Sequence, residues 1–160
     1  MREDNFEITP NNQIFLQRVT PADVNAYIEI DKKVASKTYF PARGEKAVLD
    51  DMAKGPVYMI RKEGKIVGTV SYQRQEDGSV FLNGLAIDPA YWGQGLGREA
   101  LVKVLEEIKD ALKVWLVTHP DNEKAINLYQ SLGFQITGRK ENYYGDGEPR
   151  IILTLISQQS

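Results

Sequence analysis

Cysteine is absent from the 160 residues, which removes disulfides and thiolate metal sites without fixing a compartment. Lysine and arginine number 20 against 22 acidic residues, a net charge of −2, so the chain lacks the basic footprint of a nucleic-acid binder. No apolar run reaches the ~20 residues of a bilayer-spanning helix. The opening Met1-Arg-Glu-Asp-Asn5 has no apolar signal-peptide core. Repeats, linkers and low-complexity stretches are missing too. A cytoplasmic protein is expected, with a polar N-terminal segment over 1–13, one domain over 14–157, and neither nucleic acid nor membrane as partner. The chain length suits one real hydrophobic core.

Read in order, Ile14–Val19 is an expected first strand, and Thr20-Pro21 starts a helix with Thr as N-cap and Pro at the first helical position. Val24, Tyr27, Ile28 and Val34 give that helix an apolar stripe, with Glu29 and Asp31 placed off it. Ser36–Arg43 reads as an exposed aromatic loop, and a short helix covers Glu45–Ala53. Strands over Val57–Ile60, Ile66–Tyr72 and Val80–Asp88 form an antiparallel meander around Gly64 and Gly78 turns. Val114–Val117 is a strand, reached through a helix and therefore parallel to the one before it. His119-Pro-Asp-Asn122 caps another helix, Gly133 stops it, and Phe134–Thr137 and Arg150–Leu155 close a mixed α/β sheet.

The stretch Asn83-Gly-Leu-Ala-Ile-Asp-Pro-Ala-Tyr-Trp-Gly-Gln-Gly-Leu-Gly-Arg98 organises the rest. A strand feeds a loop holding Gly93, Gly95 and Gly97, and the loop feeds an amphipathic helix. The first turn of such a helix presents unpaired N–H groups at the positive end of its dipole, a place for phosphate. The loop lacks the Lys-Ser/Thr ending of a P-loop and the G-x-G-x-x-G spacing of a dinucleotide site. No metal-ligand constellation accompanies it. By itself the loop is equally a tight strand-to-helix turn.

Two segments carry a resemblance. Trp92-Gly-Gln-Gly-Leu-Gly97 is similar to the [QR]-x-x-G-x-[GA] motif of the GNAT superfamily of acyl-CoA-dependent N-acyltransferases, with Trp92 where that pattern has Gln or Arg. Asn122-Glu-Lys-Ala-Ile-Asn-Leu-Tyr-Gln-Ser-Leu-Gly-Phe134 resembles the family's N-x-x-A-x-x-x-Y-x-x-x-G-F motif. The resemblance implies a mixed sheet of about seven strands with about four helices, splayed between the fourth and fifth strands. It implies acetyl-CoA as cosubstrate, its pantetheine arm lying along Leu85, Ala86 and Ile87. Its pyrophosphate would rest on N–H groups of Gly93, Gln94, Gly95, Leu96, Gly97 and Arg98, with Asn122, Ala125 and Tyr129 on the second helix.

The reaction implied is direct attack of a primary amine on the thioester. The Leu85 N–H stabilises the oxyanion and Tyr129 donates to the departing thiolate; by helical spacing alone Tyr129 is a packing residue. A phenol near pKa ~10 gives up its proton to a thiolate near ~8.5 uphill, so Tyr129 acts mainly as a hydrogen-bond donor. Phe81 and Val117 stand where relatives carry a basic carboxylate. Asn83 is the candidate to orient a water there, against a satisfied buried amide, and His119, the one histidine, is a lesser candidate that reads more simply as a loop residue.

Asn142-Tyr-Tyr-Gly-Asp-Gly-Glu-Pro-Arg-Ile-Ile-Leu153 is similar to the tyrosine-rich segment of RimI-like N-terminal acetyltransferases, which implies a protein or peptide α-amine as acceptor. Tyr143 and Tyr144 are substrate contacts or, equally, packing residues of a hairpin. A polyamine, amino acid or aminoglycoside acceptor stays open, with Glu29, Asp31, Glu141, Asp146 and Glu148 as scattered acidic candidates. A non-catalytic CoA-binding regulatory module stays open as well. The chain is expected to be a monomer or a homodimer, with Ile14–Val19 and Ile151–Ile156 as sheet edges that either pair with another subunit or are closed by the chain itself.

Overall fold

The computed structural model describes residues 13–34 and 44–156. The aromatic loop expected over Ser36–Arg43 and nearly all of the N-terminal segment lie outside them. Among the described residues, seven strands and four α-helices run in the order β1 (Phe15–Arg18), α1 (Val24–Val34), α2 (Gly44–Lys54), β2 (Val57–Lys62), β3 (Lys65–Arg74), β4 (Val80–Ile87), α3 (Leu96–Glu107), β5 (Lys113–Thr118), α4 (Glu123–Ser131), β6 (Gln135–Lys140) and β7 (Arg150–Ile156). They form one sheet in the order β1-β2-β3-β4-β5-β7-β6. Only the β4–β5 pair is parallel, as a helical crossover requires.

Alternation along the strands divides the core between the two sheet faces. On β2, Tyr58 and Ile60 join a cluster with Leu96, Ala100, Leu101 and Val104 of α3, while Val57 and Met59 join Val24, Tyr27 and Val48 of α1 and α2. Leu153 of β7 is fully buried in the first cluster. Leu153→Ala is expected to cost about 2–5 kcal/mol, as large-to-small core changes do, and a denaturant midpoint measured against wild type checks it.

α1 is entered through a single turn of 3-10 helix, Pro21–Asp23. There the Thr20 N–H donates to Asp23 Oδ2 at 3.0 Å, so the two residues form a reciprocal cap. Val24, Tyr27, Ile30 and Asp31 are buried on α1, which corrects the placing of Asp31 off the apolar stripe. Asp31 lies four residues beyond Tyr27 and seven beyond Val24, so helical spacing puts it on the inner face whatever its charge. Glu29 is exposed, 3.7 Å from Lys32.

The expected edge at Ile151–Ile156 proves to be closed by the chain itself. β7 runs between β5 and β6, pairing Ile151 with Thr118 on one side and Arg139 on the other. β6 is the outer strand instead. The hairpin loop 141–149 lets the last strand fold back inside its predecessor.

The feature that positions the site is a break in pairing. β4 and β5 are in register only at Val80–Val114 and Phe81–Trp115. Immediately beyond, the β3–β4 ladder shifts: Tyr72 faces Leu82 and Ser71 faces Gly84, leaving Asn83 without a counterpart. That extra residue is a bulge, which bends the strand that carries it. β5 stays paired with β7 through Thr118, so it cannot follow, and the two parallel strands part from Leu82 onward.

Candidate active site

Which β4 groups face the gap follows from the ladder. The Asp88 N–H donates to the Val67 carbonyl at 2.9 Å. Backbone groups of an antiparallel strand alternate in direction, so those of Ala86 also turn to β3, and those of Leu85 and Ile87 turn to the gap. The Trp92 indole Nε1 donates to the Ile87 carbonyl at 2.8 Å, which occupies one of them. The departure from the motif at Trp92 thus covers an acceptor on β4, and the Lys124 ammonium lies 4.5 Å from the Trp92 ring centre.

Next to the gap, Gly95 is the N-cap of α3 at φ 76° and has no side chain to satisfy the helix end. The N–H groups of Leu96, Gly97 and Arg98 therefore leave the first turn without intrahelical partners. Gly93 has φ 85°, and a Cβ at either Gly93 or Gly95 would meet nothing within 4 Å. These two glycines serve a left-handed backbone that shapes the cradle and leave it open. Gly97 differs: its Cβ would make ordinary 3.6 Å contacts with Ile87 and Leu128. Gly95→Ala is expected to destabilise by about 1–2 kcal/mol for the left-handed residue. Gly97→Ala should be neutral or stabilising through helix propensity, and paired thermal melts separate the two.

Gap and cradle together form a cleft of about 800 Å³, within the range of small-molecule sites. Eleven of the twelve residues expected to hold the cosubstrate line it: Leu85, Ala86, Ile87, Gly93, Gly95, Leu96, Gly97, Arg98, Asn122, Ala125 and Tyr129. Gln94 is not among the lining residues; its side chain accepts from the Lys62 ammonium at 2.8 Å, which leaves its expected backbone N–H contact untouched. The Arg98 side chain donates to Ser131 Oγ at 2.8 Å. Asn122 Oδ1 caps α4 by accepting from the Ala125 N–H at 3.4 Å.

At its inner end the cleft meets a cavity of about 60 Å³ between β4 and β5. Leu85, Asn122, Ala125 and Tyr129 line both, so cleft and cavity adjoin at these four residues. Tyr129 is buried, its ring 5.6 Å from Phe134. Burial pushes its phenol well above the usual value, which favours a hydrogen-bond donor over a source of protons. Asn83 lines the small cavity, and its Oδ1 is buried with no hydrogen-bond partner. That corrects the alternative of a satisfied amide in a turn: Asn83 is the unpaired residue of the bulge.

Phe81 stacks on Trp115 at 4.4 Å between ring centres, and Val117 lines the small cavity. Neither accepts a proton. His119 is a loop residue as expected, in the turn after β5, and it is buried, 2% exposed. Its Nδ1 accepts from the Asp121 N–H at 2.9 Å, and its Nε2 lies 2.7 Å from Glu148 Oε1. The proton is therefore on Nε2 and both nitrogens are engaged, which removes His119 as a base.

Tyr144, a candidate from the RimI-like segment, does line the small cavity. Sequence reasoning missed Arg150 and Thr118 in the small cavity and Lys33 and Lys124 along the cleft. Their positions depend on pairings between distant segments, so no local pattern signals them. Among the described residues no His, Cys, Asp or Glu side chains cluster as a metal site, and no helix is long and apolar enough to cross a membrane.

A model of the family described as "Acetyltransferase (GNAT) family" matches residues 24–134. The chain is 35% identical over 103 residues to the [Ribosomal protein bS18]-alanine N-acetyltransferase of Escherichia coli (strain K12), covering 61% of this chain and 69% of that protein. The crystal structure of the ribosomal-protein-S18-alanine N-acetyltransferase from Escherichia coli superposes with a TM-score of 0.78 at 29% identity, over 92% of this chain and 97% of that one. A GNAT family acetyltransferase from Elizabethkingia anophelis, solved with acetyl-CoA bound, shares the fold with a TM-score of 0.69 at 20% identity, over 89% and 97% of the two chains.

Proposed function

The chain belongs to the acetyltransferase (GNAT) family, and from that membership we propose that it moves the acetyl group of acetyl-CoA to the α-amine of a protein or peptide. The observation that carries the reading is the breach between β4 and β5, where Leu85 and Tyr129 line both a large cleft and a small cavity. An arm lying in the cleft pairs with the backbone groups of Leu85 and the Ile87 N–H as an added strand would, the Ile87 carbonyl being held by Trp92. Diphosphate rests on the first turn of α3, and Arg98, with donors left beyond Ser131, adds a charged contact.

The amine enters from the small cavity and its lone pair attacks the thioester carbon. The carbonyl electron pair moves to oxygen, where the Leu85 N–H receives it. As the adduct collapses, the C–S bond breaks, the thiolate takes a hydrogen bond from Tyr129, and the nitrogen's extra proton passes to water in the small cavity. Among the described residues no carboxylate lines the small cavity to take that proton, and magnitudes then select the acceptor. A lysine-type amine near pKa ~10.4 costs about 4.6 kcal/mol to deprotonate at pH 7, an α-amine near ~7.9 about 1.2.

The acidic residues that a polyamine would need are committed elsewhere. Glu141 pairs with Arg139 at 2.7 Å, Asp146 with Arg150 at 3.0 Å, and Glu148 with His119 at 2.7 Å. The similarity to an alanine N-acetyltransferase supports the same choice. Thiol release from acetyl-CoA, measured with free-α-amine peptides, polyamines and amino acids in parallel, tests it. Turnover confined to peptides is the expected result; turnover confined to polyamines or amino acids overturns the acceptor. Binding of acetyl-CoA without thiol release from any amine would make the protein a CoA-binding regulator.

A further inference from the structure

The small cavity contains a charge that the transfer chemistry leaves unused. Arg150 opens β7 with 2% of its surface exposed, and it lines the same cavity as Asn83 and Tyr129. Its Nη1 donates to the Pro149 carbonyl and its Nη2 to Asp146 Oδ2, each at 3.0 Å. Asp146 is not among the residues lining the cavity and its side chain is 25% exposed against 3% for Arg150. The cation therefore borders the cavity while its counterion stands nearer solvent, where its field is better screened. Asn83 lines the same cavity, and its Oδ1 is a buried acceptor without a donor. An unmet buried acceptor is a standing penalty that an incoming N–H removes.

We propose that Arg150 is the fixed positive charge that holds the bound acceptor amine unprotonated, and that Asn83 Oδ1 receives one N–H of that neutral amine and so aims its lone pair at the thioester. The inference rests on the acetyl-transfer reading of the site. A like charge close by disfavours an ammonium and lowers its pKa, so the cavity does in advance what a basic carboxylate does in the transition state. The ammonium releases one proton to bulk water as it enters. The neutral amine then forms the C–N bond, and its second proton leaves to water after attack. An acceptor with one positive charge tolerates this cavity; a polyamine brings a second ammonium against Arg150.

The titratable groups around the amine are few. α4 brings Tyr129 and the β6–β7 loop brings Tyr144, both lining the cavity. That loop also holds Asp146 against Arg150 and Glu148 against His119 of the turn after β5. β4 and β5 contribute no ionisable side chain to the lining. The Glu148 N–H donated to Asp146 holds the Asp146 carboxyl below the usual range, so its charge is constant across the pH range where an amine titrates.

The experiment is the pH dependence of kcat and of kcat/KM with acetyl-CoA and a peptide α-amine. The first reports groups in the complex and the second the free reactants. The acid limb of kcat is expected below that of kcat/KM in wild type. Arg150→Met should move the kcat limb up by about one pH unit, Asp146→Asn should move it down, and Arg150→Lys should leave it in place, with the kcat/KM limb unmoved throughout. Arg150→Met and Asp146→Asn shifting in the same direction, or neither shifting, overturns the inference. So does a raised acceptor KM in Arg150→Met with an unmoved kcat limb, which would make Arg150 a plain substrate contact. If circular dichroism shows Arg150→Met unfolded, the sign of the Asp146→Asn shift decides alone. Wild-type turnover with unmoved limbs defeats this inference only, whereas no wild-type turnover with any amine defeats the transfer reading and this inference together.

Discussion

Tyr129→Phe is expected to lower kcat by about 10²-fold, the lower end of what a positioned acid or donor contributes, while the Kd for acetyl-CoA stays within about twofold. The split follows from where the hydroxyl sits. The Tyr129 ring packs in the core against Phe134, and phenylalanine preserves that packing. What disappears is one O–H of a residue lining both cleft and cavity, the one proposed to meet the thiolate. Ground-state acetyl-CoA carries no charge on sulfur, so the lost hydrogen bond is made almost wholly in the transition state. Such a loss appears in kcat and not in binding. Because burial raises the phenol's pKa, the effect should be flat with pH across the neutral range; a proton-transferring acid would impose its own limb. Unaltered turnover in Tyr129→Phe, checked by thiol release and calorimetry, would reduce Tyr129 to packing.

Local chemistry made the centre of the site readable in advance. The αL glycines ahead of α3 and the Asn122 cap of α4 each act within a few residues of chain, so their spacing carries their role. Eleven of the twelve residues expected at the cosubstrate line the cleft for that reason, and Gln94, expected there through its backbone N–H, sends its side chain to Lys62. The bulge at Asn83 was not readable. It is a one-residue slip against β3, invisible in an apolar strand that looks continuous. Arg150 was missed because an arginine at a strand start normally faces water, and only the insertion of β7 between β5 and β6 turns it inward. His119 is buried by Glu148, 29 residues away. Asp31 shows the opposite failure, a correct helical period overruled by the charge of the residue on it.

Leu85→Pro is expected to cost about 10²–10³-fold in kcat, the range for loss of one oxyanion donor. Proline inside a sheet normally removes a ladder hydrogen bond. At Leu85 it does not, because the ladder direction fixed by Asp88 and Val67 turns the Leu85 N–H into the gap, where β5 has already parted from β4. The residue before it is Gly84, which accommodates the extended conformation that a following proline demands. The substitution therefore deletes a single N–H facing the gap, the one proposed to receive the oxyanion, and leaves the β3–β4 ladder intact. Leu85→Ala is the control: it removes the half-buried side chain and keeps the N–H, so it should retain most of kcat. The ratio of the two variants isolates the backbone donor from the packing. Equal turnover in Leu85→Pro and Leu85→Ala, both folded by circular dichroism, would mean that the oxyanion is stabilised elsewhere and that the breach serves only to seat the pantetheine arm.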